Sequence, residues 1–407
     1  MLFIFSYLSE HNRYISIFGI LLVLSIAFLF SSHKKKIKYK LIINALIMQF
    51  VLAFFIIKTS AGHITFKYIG SGFTKLYGFA SAGTEFVFGS LSDVSMPWGA
   101  IFAIKVVPII VFFGALMAVL YHFGIIQFFV RGVSLIMRPL LGTSGAETLC
   151  AAANSMLGQT EAPLLIKHYL NKMTRSEVLV VMVSGMATLN GALLAVYGSI
   201  GVSMIHLLSA SVMAVPGSIL ISKILIPETE LPETIGGKHV DMGKESNNVL
   251  DAISQGTGDG MKLAVNVVAM LITFISLIAL VNYLLSISGG YTLNDIFAKI
   301  FAPVAYLLGV AKVDIFKAGS LLGEKLVINE FVAYSSFVKT ELLPRSKIVL
   351  TYALCGFSNF SCIGIQIGGI GALCPEKRQL LTKLGMTALL GGTLTNFLNA
   401  AIAALLL

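Results

Sequence analysis

Charge is what this sequence has least of. Only 12% of its 407 residues are Asp, Glu, Lys or Arg, against 57% hydrophobic residues, and the mean hydropathy is +0.89. A soluble globular domain carries about 25% charged residues. The deficit excludes a soluble enzyme, a disordered chain and a nucleic-acid-binding module, and it leaves a polytopic membrane protein. Cysteine is also sparse. Cys150, Cys355, Cys362 and Cys374 lie in or beside apolar stretches, with no CxxC pair and no Cys/His cluster at zinc spacing. That excludes a disulfide framework and a structural zinc site. No Gly-rich phosphate loop, HExxH, acid pair for a metal or Ser-His-Asp order is found, so no catalytic class declares itself and no cofactor is expected. The N-terminus lacks a basic n-region and a small-x-small cleavage site, so the first apolar run is expected to stay as a helix.

What is present is a series of apolar runs, each close to the ~20 residues needed to cross the hydrocarbon core. Spans are predicted at 14–31, 41–57, 100–122, 176–200, 203–226, 262–288, 346–370 and 380–407. The net charge of +10 reads as cationic loops that orient these helices, not as a polyanion-binding surface. The cluster from His33 to Lys40 places the first loop inside and the N-terminus outside. Arg131, Arg138, Lys167, Lys172, Arg175, Lys377 and Arg378 then also fall inside, and the C-terminus outside. Lys58, Lys67, Arg345 and Lys347 are exceptions on the outer side. Residues 227–261 are the one long polar stretch and read as a cytoplasmic loop between two halves. Residues 63–98 are too polar and Gly-interrupted to span, and FTKLYGFASAGTEFVFGSL is expected in the interface plane.

Two regions, 146–171 and 312–341, have short helix-like arms around a polar centre and no unbroken apolar run of spanning length. Both are predicted to be re-entrant hairpins. Such backbone is tolerated at membrane depth only where protein buries it or a watery cavity meets it. Each follows an amphipathic, proline-containing stretch, FVRGVSLIMRPLLG or IFAKIFAPVAYLLG. Each sets an amide beside a carboxylate at its centre: Gln159 with Glu161, and Asn329 with Glu330. With the topology above they enter from opposite sides, an inverted repeat of the kind that builds a midplane site.

A charge at bilayer depth costs roughly 2.5–3.5 kcal/mol on insertion scales, so Glu161 and Glu330 need a reason. One reading pairs them with buried cations, Lys325 being the partner for Glu330. The other has them accept hydrogen bonds from a polar solute. Gln159, Thr160 and Glu161 together offer donors and acceptors suited to a heterocyclic base, and Glu330 suits sugar hydroxyls. The stretch CGFSNFSCIGIQIGG adds Phe357, Ser358, Asn359, Ser361 and Cys362 among glycines that read as packing residues. Phe357 can cover a planar ligand or simply fill the core. Side-chain oxygens of Asn154 and Thr188, with carbonyls freed near Leu157 and Leu189, can enclose a sodium ion where Gly185 and Gly191 let the helix unwind. Asn190 is an equal candidate on chemistry.

GQTEAPLLI at 158–166, NEFVAY at 329–334 and CGFSNFSCIGI at 355–365, supported by EFVFGSL at 85–91, MTRSE at 173–177 and GGIG at 368–371, occur in one order along essentially the whole chain. In this the sequence resembles the concentrative nucleoside transporter family, in its bacterial branch without extra N-terminal spans. The resemblance implies an all-α polytopic membrane protein with about eight spans, two re-entrant hairpins in an inverted repeat and interfacial helices. It implies a homotrimer in the bacterial inner membrane that imports nucleosides such as uridine together with a cation, by elevator-type motion of a transport domain. Gln159, Thr160 and Glu161 would then meet the nucleobase, Glu330, Asn359 and Cys362 the ribose, and Phe357 would flank the ligand. Asn154 and Thr188, with the main-chain oxygens of Leu157 and Leu189, would bind sodium. Cys362 departs from the Ser of many members. A thiol is the poorer donor, and Ser361 can take its place. By the same resemblance residues 1–122 would be mainly scaffold, 123–226 and 289–407 the two halves of the transport domain, and 227–288 a cytoplasmic loop with a long scaffold helix.

Four readings therefore compete: a sodium-coupled nucleoside symporter, its proton-coupled counterpart using Glu161 or Glu330, a membrane-embedded enzyme acting on a nucleotide-linked or lipid substrate, and a symporter for another polar solute. One sodium ion falling through about 100 mV releases about 2.3 kcal/mol, and a tenfold gradient adds about 1.4 kcal/mol. Together these support roughly 500-fold accumulation of a neutral solute.

Overall fold

The computed structural model describes residues 13–93, 95–97, 101–235 and 246–407, and these are helical with no strand among them. Part of the polar stretch read as a cytoplasmic loop, residues 236–245, lies outside the described residues, as does the extreme N-terminus. The chain begins with α1 (Tyr14–Leu29), α2 (Tyr39–Lys58), α3 (Ser60–Phe88) and α4 (Phe102–His122), followed by α5 (Ile125–Leu141). Helix α6 (Gly145–Asn154) opens the first hairpin, and α7 (Arg175–Ala187), α8 (Gly191–Ser199) and α9 (Met204–Leu225) follow it. Helix α10 (Val249–Gly289) leads to α11 (Leu293–Leu307) and to the second hairpin, α12 (Ile315–Gly323) and α13 (Glu330–Lys339). The chain ends with α14 (Pro344–Leu354), α15 (Phe360–Leu373) and α16 (Arg378–Leu406).

Six helical segments among the described residues are long and apolar enough to cross a membrane, and α1 and α15 are shorter apolar helices. Together they meet the expectation of about eight spans. The differences from that expectation lie in where helices break. The predicted span 176–200 is two half-helices separated by extended backbone at Thr188. The predicted span 346–370 is α14 and α15, parted at residues 355–359. Hydropathy averages over such breaks because the interrupting residues, Cys-Gly-Phe-Ser-Asn, are mostly small or apolar. Two other helices run further than composition suggests. Residues 60–88 form one continuous helix, capped by the Thr59 side chain, which accepts from the Gly62 N–H, and stacked on α4 through Phe73 and Phe113. The C-terminal part of the polar stretch, from Val249, is also helical: Asn248 caps it by accepting from the Asp251 N–H, so α10 starts well before the apolar run does. Cap chemistry overrides composition at both places.

The two ends of the bundle group the helix ends as the predicted topology does, with basic side chains at both. At one end the Ser32 N–H donates to the Leu225 carbonyl, Arg138 and the Gly145 N–H to the Thr234 carbonyl, and Lys377 to the Met173 carbonyl. At the other end Arg13 donates to the carbonyl of Leu407, Arg345 to that of Ala404 and Lys317 to that of Glu341. The first hairpin starts and finishes at the first end, at Gly145 and Met173. The second starts and finishes at the other, where the Leu343 N–H donates to Asp314. The hairpins thus enter from opposite ends.

The base of the first hairpin is held by a buried ionic knot. Lys223 lies 2.7 Å from Glu147 and 3.3 Å from Glu228, and it also donates to Ser176. Ser144 caps α6, Thr174 caps α7, and the Ser144 hydroxyl donates to Glu177. Every buried charge here has a partner, the condition under which such a cluster is stable. Helices α1 and α2 pack on the core formed by α9 and α16, whereas α4 packs chiefly along α10.

Candidate functional site

Three interior half-helices begin in the middle of the bundle, each at an asparagine. Asn190, Asn329 and Asn359 have extended backbone, and their side-chain oxygens accept from the N–H groups of Leu193, Val332 and Cys362 respectively. Asparagine is among the best N-caps because its short side chain folds back on the first turn. The starts of α8, α13 and α15 are the partly positive ends of their helix dipoles, suited to oxygen-rich groups. This use of Asn190 commits one lone pair of its oxygen to the cap.

The C-terminal ends facing these starts are closed by two side chains: Lys325, which the sequence reading paired with Glu330, and Asn396, which it did not single out. Lys325, fully buried in the π-helical turn Glu324–Ile328, donates to the Ala353 carbonyl at the end of α14 (2.8 Å) and to the Asn396 side-chain oxygen (2.7 Å). Asn396 in turn donates to the Ala187 carbonyl at the end of α7 (2.8 Å) and accepts from the Ser358 hydroxyl. Gly356 lies between these elements at φ 125°, and a Cβ there would come within 2.7 Å of the Asn396 oxygen and 2.8 Å of the Ala187 backbone. Only glycine fits that conformation and that gap.

Around this frame the predicted site residues divide into two groups. Glu330 is buried, and the Lys325 ammonium, bonded to Ala353 and Asn396, forms no ion pair with it. Its carboxylate instead accepts from the Tyr197 hydroxyl (3.2 Å) and the Asn359 amide (2.8 Å). Ser361 donates to the Asn359 side-chain oxygen (2.7 Å). Gln159, at the first hairpin tip, donates to the Cys362 sulfur (3.4 Å) and accepts from Gln366 (3.1 Å). The tips of the two hairpins therefore meet at the N-terminus of α15, with Gln159 on one side of Cys362 and Glu330 on the other side of Asn359. Phe357 is partly buried beside them. Glu161 is exposed, accepts from the Gly158 N–H (3.0 Å), and borders a cavity of about 130 Å³. Met156, Leu157 and Asn190 share that border, with Met117, Tyr121 and Gln255 opposite. Glu330, Asn359 and Cys362 do not line it.

The second group lies behind the first tip. The Asn154 amide donates to the Ser184 hydroxyl (2.9 Å), while its own side-chain oxygen is buried with no hydrogen-bond partner. Thr188 donates to the Ser184 carbonyl (2.8 Å), which leaves its oxygen lone pairs for another group. Leu157 and Leu189 both lie in non-helical backbone, and the tip is tied to the helix break by a bond from the Gly191 N–H to the Met156 carbonyl (3.1 Å). An orphan buried oxygen is costly unless something pairs with it, and oxygen donors of this kind fit a hard monovalent cation.

The residues missed at the sequence level are Ser184, Tyr197, Gln366 and Asn396. Gln366 alone carried a readable signal: it lies four and seven residues after Cys362 and Asn359, hence on the same helical face.

Comparison with known proteins is decisive here. Family models described as "Na+ dependent nucleoside transporter" match residues 18–91 at the N-terminus and 206–404 at the C-terminus, and a "Nucleoside recognition" gate model matches 103–204 between them. The chain belongs to the concentrative nucleoside transporter family. It is a multi-pass nucleoside transporter, and the membrane-enzyme reading falls away. Within the family it is 36% identical to the nucleoside permease NupC of Helicobacter pylori, over 96% of this chain and 97% of that protein. It is 38% identical to the sodium/nucleoside cotransporter 1 of Rattus norvegicus, over 97% of this chain and 64% of the longer relative. Among solved structures it matches CNTnw in an inward-facing substrate-bound state, with TM-score 0.92 and 36% identity over 96% of this chain and 97% of that one.

Proposed function

We propose that this chain is a sodium-coupled nucleoside symporter of the bacterial inner membrane, working as a homotrimer by elevator-type movement. The observation that carries the reading is the meeting of the two hairpins on α15, where Gln159 and Glu330 lie on either side of Cys362 and Asn359. In this reading Gln159, Thr160 and Glu161 meet the nucleobase beside the cavity. Glu330, Asn359 and Cys362 meet the ribose, with Ser361 in reserve, and Phe357 flanks the ligand. The closed polar ring around Glu330 opens to exchange internal partners for ribose hydroxyls. That exchange is favourable only if hydrogen bonds are replaced one for one.

Sodium is held between the orphan oxygen of Asn154, Thr188 and the carbonyls of Leu157 and Leu189. Its binding fixes the first tip against the α7–α8 break and organises the base side of the site. The pairing of α4 with α10 supports a static body, to which α3 is attached, against which the hairpins and α7–α9 and α14–α16 move. Residues 123–226 and 289–407 are then the two halves of the moving body. The scaffold reading of 1–122 rests on α3 and α4, since α1 and α2 pack on the core helices.

The test is uridine uptake into proteoliposomes under an inward sodium gradient, with Glu330→Gln as comparison and with nucleosides, free bases and sugars as competitors. Sodium-driven uptake, competed by nucleosides alone and lost in Glu330→Gln, is expected. Uptake driven by a proton gradient and indifferent to sodium would transfer coupling to Glu161 or Glu330. Wild-type transport by Glu330→Gln would remove the ribose assignment.

A further inference from the structure

Gln366 is completely buried on α15, and its amide nitrogen makes two bonds. It donates to the Met182 carbonyl of α7 (2.9 Å) and to the Gln159 side-chain oxygen (3.1 Å). Its own oxygen is buried without a hydrogen-bond partner. Which end of an amide is nitrogen is decided by the partners it meets, and here the first partner leaves no choice. A backbone carbonyl only accepts, so the Gln366 group facing Met182 is the NH2. The same NH2 reaches Gln159, so Gln159 turns its oxygen toward Gln366. The Gln159 NH2 is thereby pointed the other way, to the Cys362 sulfur at 3.4 Å. One hydrogen of that NH2 serves the thiol and the second is left for a ligand. Gly185 makes the approach possible: a Cβ there would lie 2.8 Å from the Gln159 Cβ and 2.9 Å from the Gln366 nitrogen.

The polarity matters because of the neighbour two residues on. The Glu161 carboxylate, when ionised, only accepts. If Gln159 also presented oxygen, the Thr160 hydroxyl alone would be left to donate on the base side of the site. The edge of a nucleobase sets an acceptor beside a donor, a carbonyl next to a ring N–H or a ring nitrogen next to an amino group. Its complement is a donor beside an acceptor, which is what an NH2-outward Gln159 makes with Glu161.

We propose that Gln366 is a positioning residue of the nucleoside site, passing the fixed polarity of the Met182 carbonyl to Gln159 so that Gln159 offers N–H to the base. The proposal rests on the reading of Gln159 as a base contact, and its test separates the two. Uridine affinity at saturating sodium is measured for the wild type, Gln366→Leu, Gln159→Ala and the double variant, together with maximal uptake rate. Gln366→Leu is expected to weaken affinity about tenfold with the maximal rate nearly unchanged. In the Gln159→Ala background the same change is expected to cost less than about twofold, because residues acting through one another are not additive. An equal loss in both backgrounds overturns the relay and leaves Gln366 a packing residue. Wild-type affinity in Gln159→Ala overturns the base contact itself, and the relay with it. Gln366→Glu keeps the volume but cannot donate when ionised. Should the leucine variant not fold, the glutamate variant takes its place in the cycle, with the same loss expected and unchanged affinity counting against the relay.

Discussion

The ammonium of Lys325 lies 2.7 Å from the side-chain oxygen of Asn396 and 2.8 Å from the carbonyl of Ala353, not against Glu330, the carboxylate that sequence reasoning paired with it. A cation at the C-terminal end of a helix is stabilised by the dipole and by the last carbonyls. Here it joins the end of α14 to the end of α7 through Asn396. Lys325→Met would leave the Ala353 carbonyl buried and unpaired and would loosen both breaks. A loss of about 1–3 kcal/mol of stability is expected, read as a lower unfolding temperature of the purified protein. If Lys325 were instead the counter-charge of Glu330, the double change with Glu330→Gln would restore what the single change loses. No such restoration is expected.

Tyr197 holds one oxygen of Glu330 while stacking on Tyr334, with ring centroids 4.5 Å apart. Tyr197→Phe keeps the stack and removes the hydroxyl. A hydrogen bond to a carboxylate contributes about 1.5–3 kcal/mol, so the KM for uridine should change by roughly tenfold to a hundredfold. Sodium dependence should stay as in the wild type. A shifted sodium requirement with unchanged KM would contradict the division of the site into two groups.

The orphan oxygen of Asn154 predicts a different signature. Asn154→Leu should raise the sodium concentration for half-maximal uptake by about tenfold or more, while the KM for uridine at saturating sodium stays within about twofold. Equal damage to both constants would show that Asn154 braces the hairpin and does not bind the ion.

Gly356 is a position where the backbone tolerates no side chain. Its φ is 125°, and the Asn396 oxygen and the Ala187 backbone lie within 2.8 Å of the place a Cβ would take. Gly356→Ala therefore carries roughly 1–3 kcal/mol of strain before the clash is counted. Reduced abundance in the membrane and a lower unfolding temperature are expected. Wild-type values for both would refute the strained geometry.

Much of this could be read from the chain alone. The charge deficit and the apolar runs determined the class. The basic loops determined which helix ends lie together. The two polar-centred segments determined the hairpins, and Gln159, Glu161, Glu330 and Asn359 stood out because a polar group in an apolar run is costly. Other features were hidden. The break between α14 and α15 escaped because hydropathy cannot distinguish an apolar helix from apolar extended backbone. The glycine-rich 60–88 segment and the start of α10 escaped because caps at Thr59 and Asn248 act on a few residues while composition is averaged over many. What the sequence determined by itself was where polar groups must be satisfied inside the membrane. Only the tertiary structure decided by whom: that Lys325 serves Asn396 and not Glu330, that Asn190 caps α8, and that Gln366 sets the direction of Gln159. The physical reason is that a hydrogen bond depends on distance and on which atom faces which. The Asn396 amide and the Ala187 carbonyl, for one, are 209 residues apart, and no local pattern carries that information.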